Sequence, residues 1–105
     1  MKTMADPYIL IAEAVVVEEH VSFTLSALCR ASGADLEQVQ ALVGEGLLQP
    51  TGPTPEDWQF NGDALPQTRR ALRLARDFEL DMGAVALVMD LLAEIDRLRS
   101  RLRRH

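Results

Sequence analysis

Apolar residues recur along this chain in three different rhythms. Over residues 8–24 they alternate, with Ile9, Ile11, Val15, Val17, Val21 and Phe23 all at odd positions. A two-residue repeat rich in β-branched side chains predicts one or two strands, most firmly over 20–24. Ala12, Glu13 and Ala14 favour a helix, so a short helix over 8–16 is the alternative.

The rhythm then becomes helical. Thr24 or Ser26 can cap a short helix holding Leu25, Leu28 and Cys29, and Gly33 stops it. Asp35 caps a second helix with Glu37 and Gln38 in its first turn. Its apolar side is Leu36, Val39, Leu42 and Val43, and Gly44 and Gly46 end it. Two short helices joined by a tight turn at 32–34 make a helix-turn-helix. Leu47, Leu48 and Gln49 then run into a loop over 49–55 with three prolines and a glycine. Trp58, Gln59 and Phe60 read as a short returning strand, so 47–60 is expected to be a hairpin with a long loop, a wing on the helix pair. Asn61-Gly62 closes it, and Asp63 is expected to cap a third helix reaching about Glu79.

Asp81 restarts the chain as the next cap. In the last helix Ala84, Val88, Leu91, Ile95, Leu98 and Leu102 are spaced 4-3-4-3-4, the rhythm of a coiled-coil seam. Val85 and Leu92 widen the stripe near its start, where the helix packs on its own domain. A narrow seam on a protruding helix has nothing to bury against within one chain, so Val88, Leu91, Ile95, Leu98 and Leu102 are assigned to a homodimer interface. The expected organisation is an extension over 1–19, a winged helix-turn-helix over 20–63, a linking helix over 64–80 and a long helix over 81–105. The expected core is Leu36, Val39, Val43, Leu47, Trp58, Phe60, Leu65, Leu72 and Phe78.

Composition sharpens this picture. At 105 residues with only 5% aromatics, the core must be aliphatic and small, and a second chain would add buried surface. The apolar run over 8–17 is too short for a membrane span and Glu13 interrupts it. An acidic pair, Glu18 and Glu19, stands where a signal-peptide cleavage site would fall. A single cysteine excludes an intramolecular disulfide and a multi-cysteine metal site. The expectation is a soluble cytoplasmic protein with no membrane contact.

Catalysis finds little support. His20 and His105 stand at opposite ends, Cys29 has no base at a suggestive spacing, and neither a phosphate loop nor a metal-ligand spacing is visible. The chain reads as a non-enzyme without metal or cofactor, and Cys29 as a small core hydrophobe.

Charge is the informative quantity. Residues 1–63 hold two basic residues, Lys2 and Arg30, against ten acidic ones, a net of −8; residues 64–105 hold nine arginines against six acids, a net of +3. Asp35, Glu37, Gln38, Ala41 and Glu45 lie opposite the apolar stripe of the second helix, and the wing adds Glu56 and Asp57 without Lys or Arg. In a helix-turn-helix this is the face that enters a DNA groove. Here it is negative, repels a polyanion and attracts a basic protein, a plain solvated face being the alternative. Arg69, Arg70, Arg73 and Arg76, and Arg97, Arg99, Arg101, Arg103 and Arg104, read as solvated faces, with Arg73 paired to Asp77 at i+4. The alternative for them is a phosphate-binding patch.

These residues carry a family resemblance. Thr24-Leu25-Ser26-Ala27-Leu28, Gly33, Glu45-Gly46-Leu47-Leu48-Gln49-Pro50 and the wing residues Trp58 and Phe60 resemble the MerR-type winged helix. Arg70-Ala71-Leu72-Arg73-Leu74, Phe78-Glu79-Leu80-Asp81, Gly83, Ala86-Leu87 and Met89-Asp90-Leu91-Leu92 resemble the CbpM-type chaperone modulators within that superfamily. Together they span about four fifths of the chain. The DNA-binding branch carries Arg and Tyr in helix two and a basic wing; here Val39, Gln40, Ala41 and Leu42 and an Asp-Trp-Gln-Phe wing stand instead. The extension before about Glu18 is longer than the family usually has. The resemblance implies a mainly α, MerR-like winged helix with a small β-wing and a long C-terminal dimerisation helix. It further implies an inhibitor or specificity modulator of a CbpA/DnaJ-like co-chaperone that binds the basic J-domain and competes with Hsp70; the lack of basic residues in helix two and the wing argues against nucleic acid as a partner. A dimeric MerR-like DNA-binding transcriptional regulator is the alternative.

Overall fold

A computed structural model describes residues 15–17 and 20–104, with side chains from position 21 onward. The expected helix over 8–16 falls mostly outside the described residues; its last two positions belong to strand β1 (Val15–Val17). β1 pairs antiparallel with β2 (His20–Thr24), which pairs antiparallel with β3 (Gln59–Asn61), giving a sheet ordered β1-β2-β3. Phe23 faces Phe60 across β2 and β3, and both are 2% exposed.

β2 runs without a loop into α1 (Leu25–Ser32), because Thr24 is both the last strand residue and the helix cap. Its Oγ1 accepts the Ala27 N–H at 3.1 Å, which assigns the cap to Thr24 rather than Ser26. Gly33 ends the helix in the left-handed region, φ 82°, with its N–H on the Cys29 carbonyl. In α2 (Leu36–Gly44) Asp35 and Gln38 form a reciprocal capping box. After α2, the N–H groups of Leu47 and Leu48 both reach back to the Leu42 carbonyl.

That last contact corrects the wing. The expected pairing of 47–49 with 58–60 does not form, because the Leu48 N–H is spent on α2 and Pro50 has no N–H to give. β3 pairs with β2 instead, and the expected hairpin survives only as the bridge between Thr51 and Gln59. Between them lie a 3₁₀ turn (Pro55–Asp57) and Trp58, half-buried and edge-on to Phe60 with ring centres 5.9 Å apart.

α3 (Ala64–Phe78) begins without the expected side-chain cap from Asp63. Asp63 is already helical (φ −67°, ψ −20°), whereas a capping side chain folds back only from an extended backbone. Asn61 closes the turn, its Oδ1 accepting the Asp63 N–H at 3.0 Å. α4 (Met82–Arg103) does begin as expected, Asp81 Oδ1 accepting the Ala84 N–H at 2.8 Å.

The core joins Phe23, Leu28, Val39, Leu42, Leu48, Phe60, Ala71 and Val85. Val43, Leu47, Trp58, Leu65 and Leu72 pack around it half-buried. Two expected core residues lie outside: Leu36 is 53% exposed and Phe78 66% exposed. At 100° per residue, a helix centred on Val39 and Leu42 carries Leu36 about 90° away from the core. Phe78 shares the face of Ala71, but it sits in the last turn of α3, past the last buried residue of that helix.

Candidate protein-docking face

α2 presents its outer side between the wing and the start of α4. Glu37 is exposed and points directly away from Val39 and Leu42. Asp35 and Gln38 are committed to each other: Asp35 Oδ1 accepts the Gln38 N–H at 2.8 Å, and Gln38 Oε1 accepts the Asp35 N–H at 3.0 Å. The Gln38 amide is therefore a building part of the helix start, while the Asp35 side chain is exposed at the surface. Ala41 is half-buried, and Glu45 turns toward the first turn of α4, where its Oε2 would stand 3.4 Å from a side-chain carbon placed at Gly83.

On the opposite edge the 3₁₀ turn brings the wing up to α2. Asp57 Oδ2 accepts the Thr54 hydroxyl at 2.9 Å, which fixes the turn, and Glu56 is exposed beside it. A solvent-open groove of about 500 Å³ lies here, lined by Leu25, Leu36, Gln40, Pro55 and Glu56 among others. Leu36, an expected core residue, stands at this surface. The buried side of α2 centres on Val39 and Leu42 rather than on all four apolar positions, which turns Leu36 outward.

The ion pairs among the described residues lie elsewhere. Asp77 meets Arg76 at 3.4 Å rather than the expected Arg73, and Glu94 meets Arg97 on α4. Among the described residues no arginine forms an ion pair with Asp35, Glu37, Glu45, Glu56 or Asp57. On α3, Arg69 ties two helices together by donating to the Ala31 carbonyl at 3.2 Å, near the end of α1.

The α4 seam is split from the face that packs on the domain. Val85, Ala86 and Met89 are buried against the rest of the fold; Leu91, Ile95, Leu98 and Leu102 are exposed, and Val88 is half-buried.

Residues 23–104 match the family model described as "MerR HTH family regulatory protein". Chaperone modulatory protein CbpM of Pseudomonas putida strain F1 is 39% identical over 80 residues, covering 76% of this chain and 79% of that one. The CbpM of Salmonella paratyphi B is 37% identical over 79 residues (75% and 78%), and that of Pseudomonas entomophila 35% over 80 (76% and 79%). The chain belongs to the CbpM family of chaperone modulatory proteins, within the MerR helix-turn-helix group.

α2 contains no Lys or Arg, and none occurs from Gln49 through Asp63. Cys29 is half-buried; burial pushes its thiol above the usual value of 9.0, Asp35 adds to this, and Arg30 opposes it. A thiol held protonated is a poor nucleophile. Among the described residues no His, Cys, Asp and Glu cluster is arranged to hold a metal, and no helix is long and apolar enough to cross a membrane.

Proposed function

We propose that this CbpM-family chain is a non-enzymatic, cytoplasmic modulator of a CbpA-type co-chaperone. It binds the basic surface of the partner's J-domain through the acidic face of α2 and the wing. That surface is also what the J-domain offers to Hsp70, so occupancy alone inhibits. The observation that carries this reading is the sign of the outer α2 face: Asp35, Glu37, Glu45, Glu56 and Asp57 surround it, with no arginine ion-paired to them among the described residues. Carboxylates left open to solvent on a rigid helix steer a cationic surface and fix its register. A homodimer through Val88, Leu91, Ile95, Leu98 and Leu102 presents two such faces.

Calorimetric titration with a purified J-domain of a CbpA-type co-chaperone tests this. Saturable binding is expected, weakening with salt, and Glu37→Lys is expected to lower the association rate without moving the melting temperature. Absence of binding at low salt defeats the reading. The family-model match favours a second reading, a DNA-binding regulator, which predicts duplex affinity falling steeply with salt. A gel shift at low salt separates the two.

A further inference from the structure

Leu36 is a large aliphatic side chain, 53% exposed, in the first turn of the helix that forms the docking face. The capping box of Asp35 and Gln38 fixes that turn, so Leu36 is held outward by the backbone rather than left there by fraying. It stands at the lip of the groove between α2 and the wing, with half-buried Leu25 and Pro55 as neighbours along the lining. Glu56 is the one charged residue of that lining. Glu37 follows Leu36 round the helix, and Asp57 follows Glu56 in the turn. Among the described residues Arg30 also borders the groove, donating to Ser26 of its lining at 3.0 Å.

We infer that this groove is where the partner's cationic helix seats an apolar side chain, with Leu36 as the anchoring contact and Glu37 and Glu56 engaging basic residues on either side. The inference rests on the J-domain reading and sharpens it, because it moves the contact away from Ala41 and Glu45. Glu45 is turned to Gly83 at the start of α4. A purely acidic face discriminates poorly among basic surfaces, whereas an apolar socket rimmed by carboxylates demands one apolar residue in register with the positive charges. Affinity in such sites concentrates in the desolvated centre, and the charges around it act mainly on the encounter.

The two contributions separate kinetically. Leu36→Ser, Leu36→Met and Glu37→Lys are compared with wild type by stopped-flow association and dissociation against a purified J-domain at low and high salt. Leu36→Ser is expected to weaken binding roughly tenfold, almost wholly through faster dissociation, by the same factor at both salts; Leu36→Met retains wild-type affinity. Glu37→Lys slows association, and its effect shrinks as salt rises. Unchanged binding by Leu36→Ser, or a Leu36→Ser effect that vanishes at high salt, overturns the socket while leaving the J-domain reading intact. A wild-type chain that does not bind the J-domain overturns both. A Leu36→Ser chain whose oligomeric state differs from wild type in sedimentation assigns the groove to a second copy and also overturns the proposal.

Discussion

Gly52 faces the carbonyl of Asp57 so closely that a side-chain carbon at Gly52 would stand 2.5 Å from the oxygen and 2.8 Å from its carbon. The contact draws the wing into a closed loop: Thr51 bridges Gln59, and the 3₁₀ turn carrying Glu56 and Asp57 folds over Gly52. Gly52 also sits at φ 118°, a region essentially closed to other residues.

Gly52→Ala is therefore expected to destabilise the fold by about 2–3 kcal/mol, from backbone strain plus the clash with immovable main-chain atoms. Denaturant unfolding measures it. Because the wing carries Glu56, the same variant should bind a cationic partner more weakly than its stability loss explains. An alanine variant with wild-type stability would mean the loop can reopen at no cost.

Glu79 presents the opposite case. It ends α3 in the left-handed region, φ 54°, where a side chain is disfavoured and glycine is the usual occupant. Among the described residues its carboxylate makes no hydrogen bond or ion pair. Glu79→Gly should raise stability by about 0.5–1 kcal/mol, the relieved strain outweighing the extra freedom of glycine in the unfolded chain. A lower unfolding midpoint would show that Glu79 makes a contact worth more than its strain.

How much of this was legible in the sequence depended on whether local chemistry or tertiary geometry decided the outcome. The helix starts at Asp35 and Asp81 were readable, and the first was narrowed to Thr24 or Ser26, because a capping side chain needs only its own next three residues. Asp63 has the same residue type yet does not cap, since the turn from Asn61 had already set its backbone. The wing strand was found but given the wrong neighbour: strand character is local, while the choice of β2 over residues 47–49 follows from where α2 spends the Leu48 N–H. The negative sign of the outer α2 face followed from counting charges. Its apolar lip did not, because Leu36 fits the core spacing within α2 and only the placement of Val39 and Leu42 turns it outward.

Thr68 lies in the second turn of α3, fully buried, with no partner for its hydroxyl among the described residues. A hydroxyl taken from water without replacement costs roughly 1–3 kcal/mol, and deleting it leaves the shape of the side chain nearly unchanged. Thr68→Val should be stabilising by about 1 kcal/mol in thermal unfolding. Thr68→Ser keeps the orphan hydroxyl and loses a buried methyl, so it should be destabilising. If valine lowers stability, the hydroxyl is satisfied in solution.

Cys29 supplies a pH-dependent prediction. Its thiol is raised above 9.0 in the fold, first by burial and then by Asp35, so the native state holds its proton more tightly than the unfolded chain does. A raised value contributes stability that is fully present below the unfolded value and lost as pH rises through the folded one. Stability should therefore decline above about pH 9 in wild type and less so in Cys29→Ala. Alkylation at neutral pH should be slower than that of a free thiol. Rapid alkylation there would contradict the half-buried, protonated state.

α4 has two apolar lines about one residue step apart, and they should fail differently when cut. Val85 is fully buried and Met89 nearly so; both belong to the domain itself. Ile95 is 43% and Leu98 45% exposed in the single chain, so a charge there meets water and leaves the domain unchanged. In a paired helix the same charge is buried without a partner, which is strongly unfavourable. Val85→Ala should lower the unfolding free energy by about 2 kcal/mol at any protein concentration. Leu98→Asp or Ile95→Asp should instead convert a dimer to a monomer in light scattering while domain helicity is kept, and should abolish the concentration dependence of the melting temperature. A wild-type chain that is already monomeric at high concentration would remove the second docking face from the proposed modulator and leave α4 beyond Leu92 as a free helix. Val85→Ala, acting inside one chain, would still show its effect, so the two faces can be judged independently.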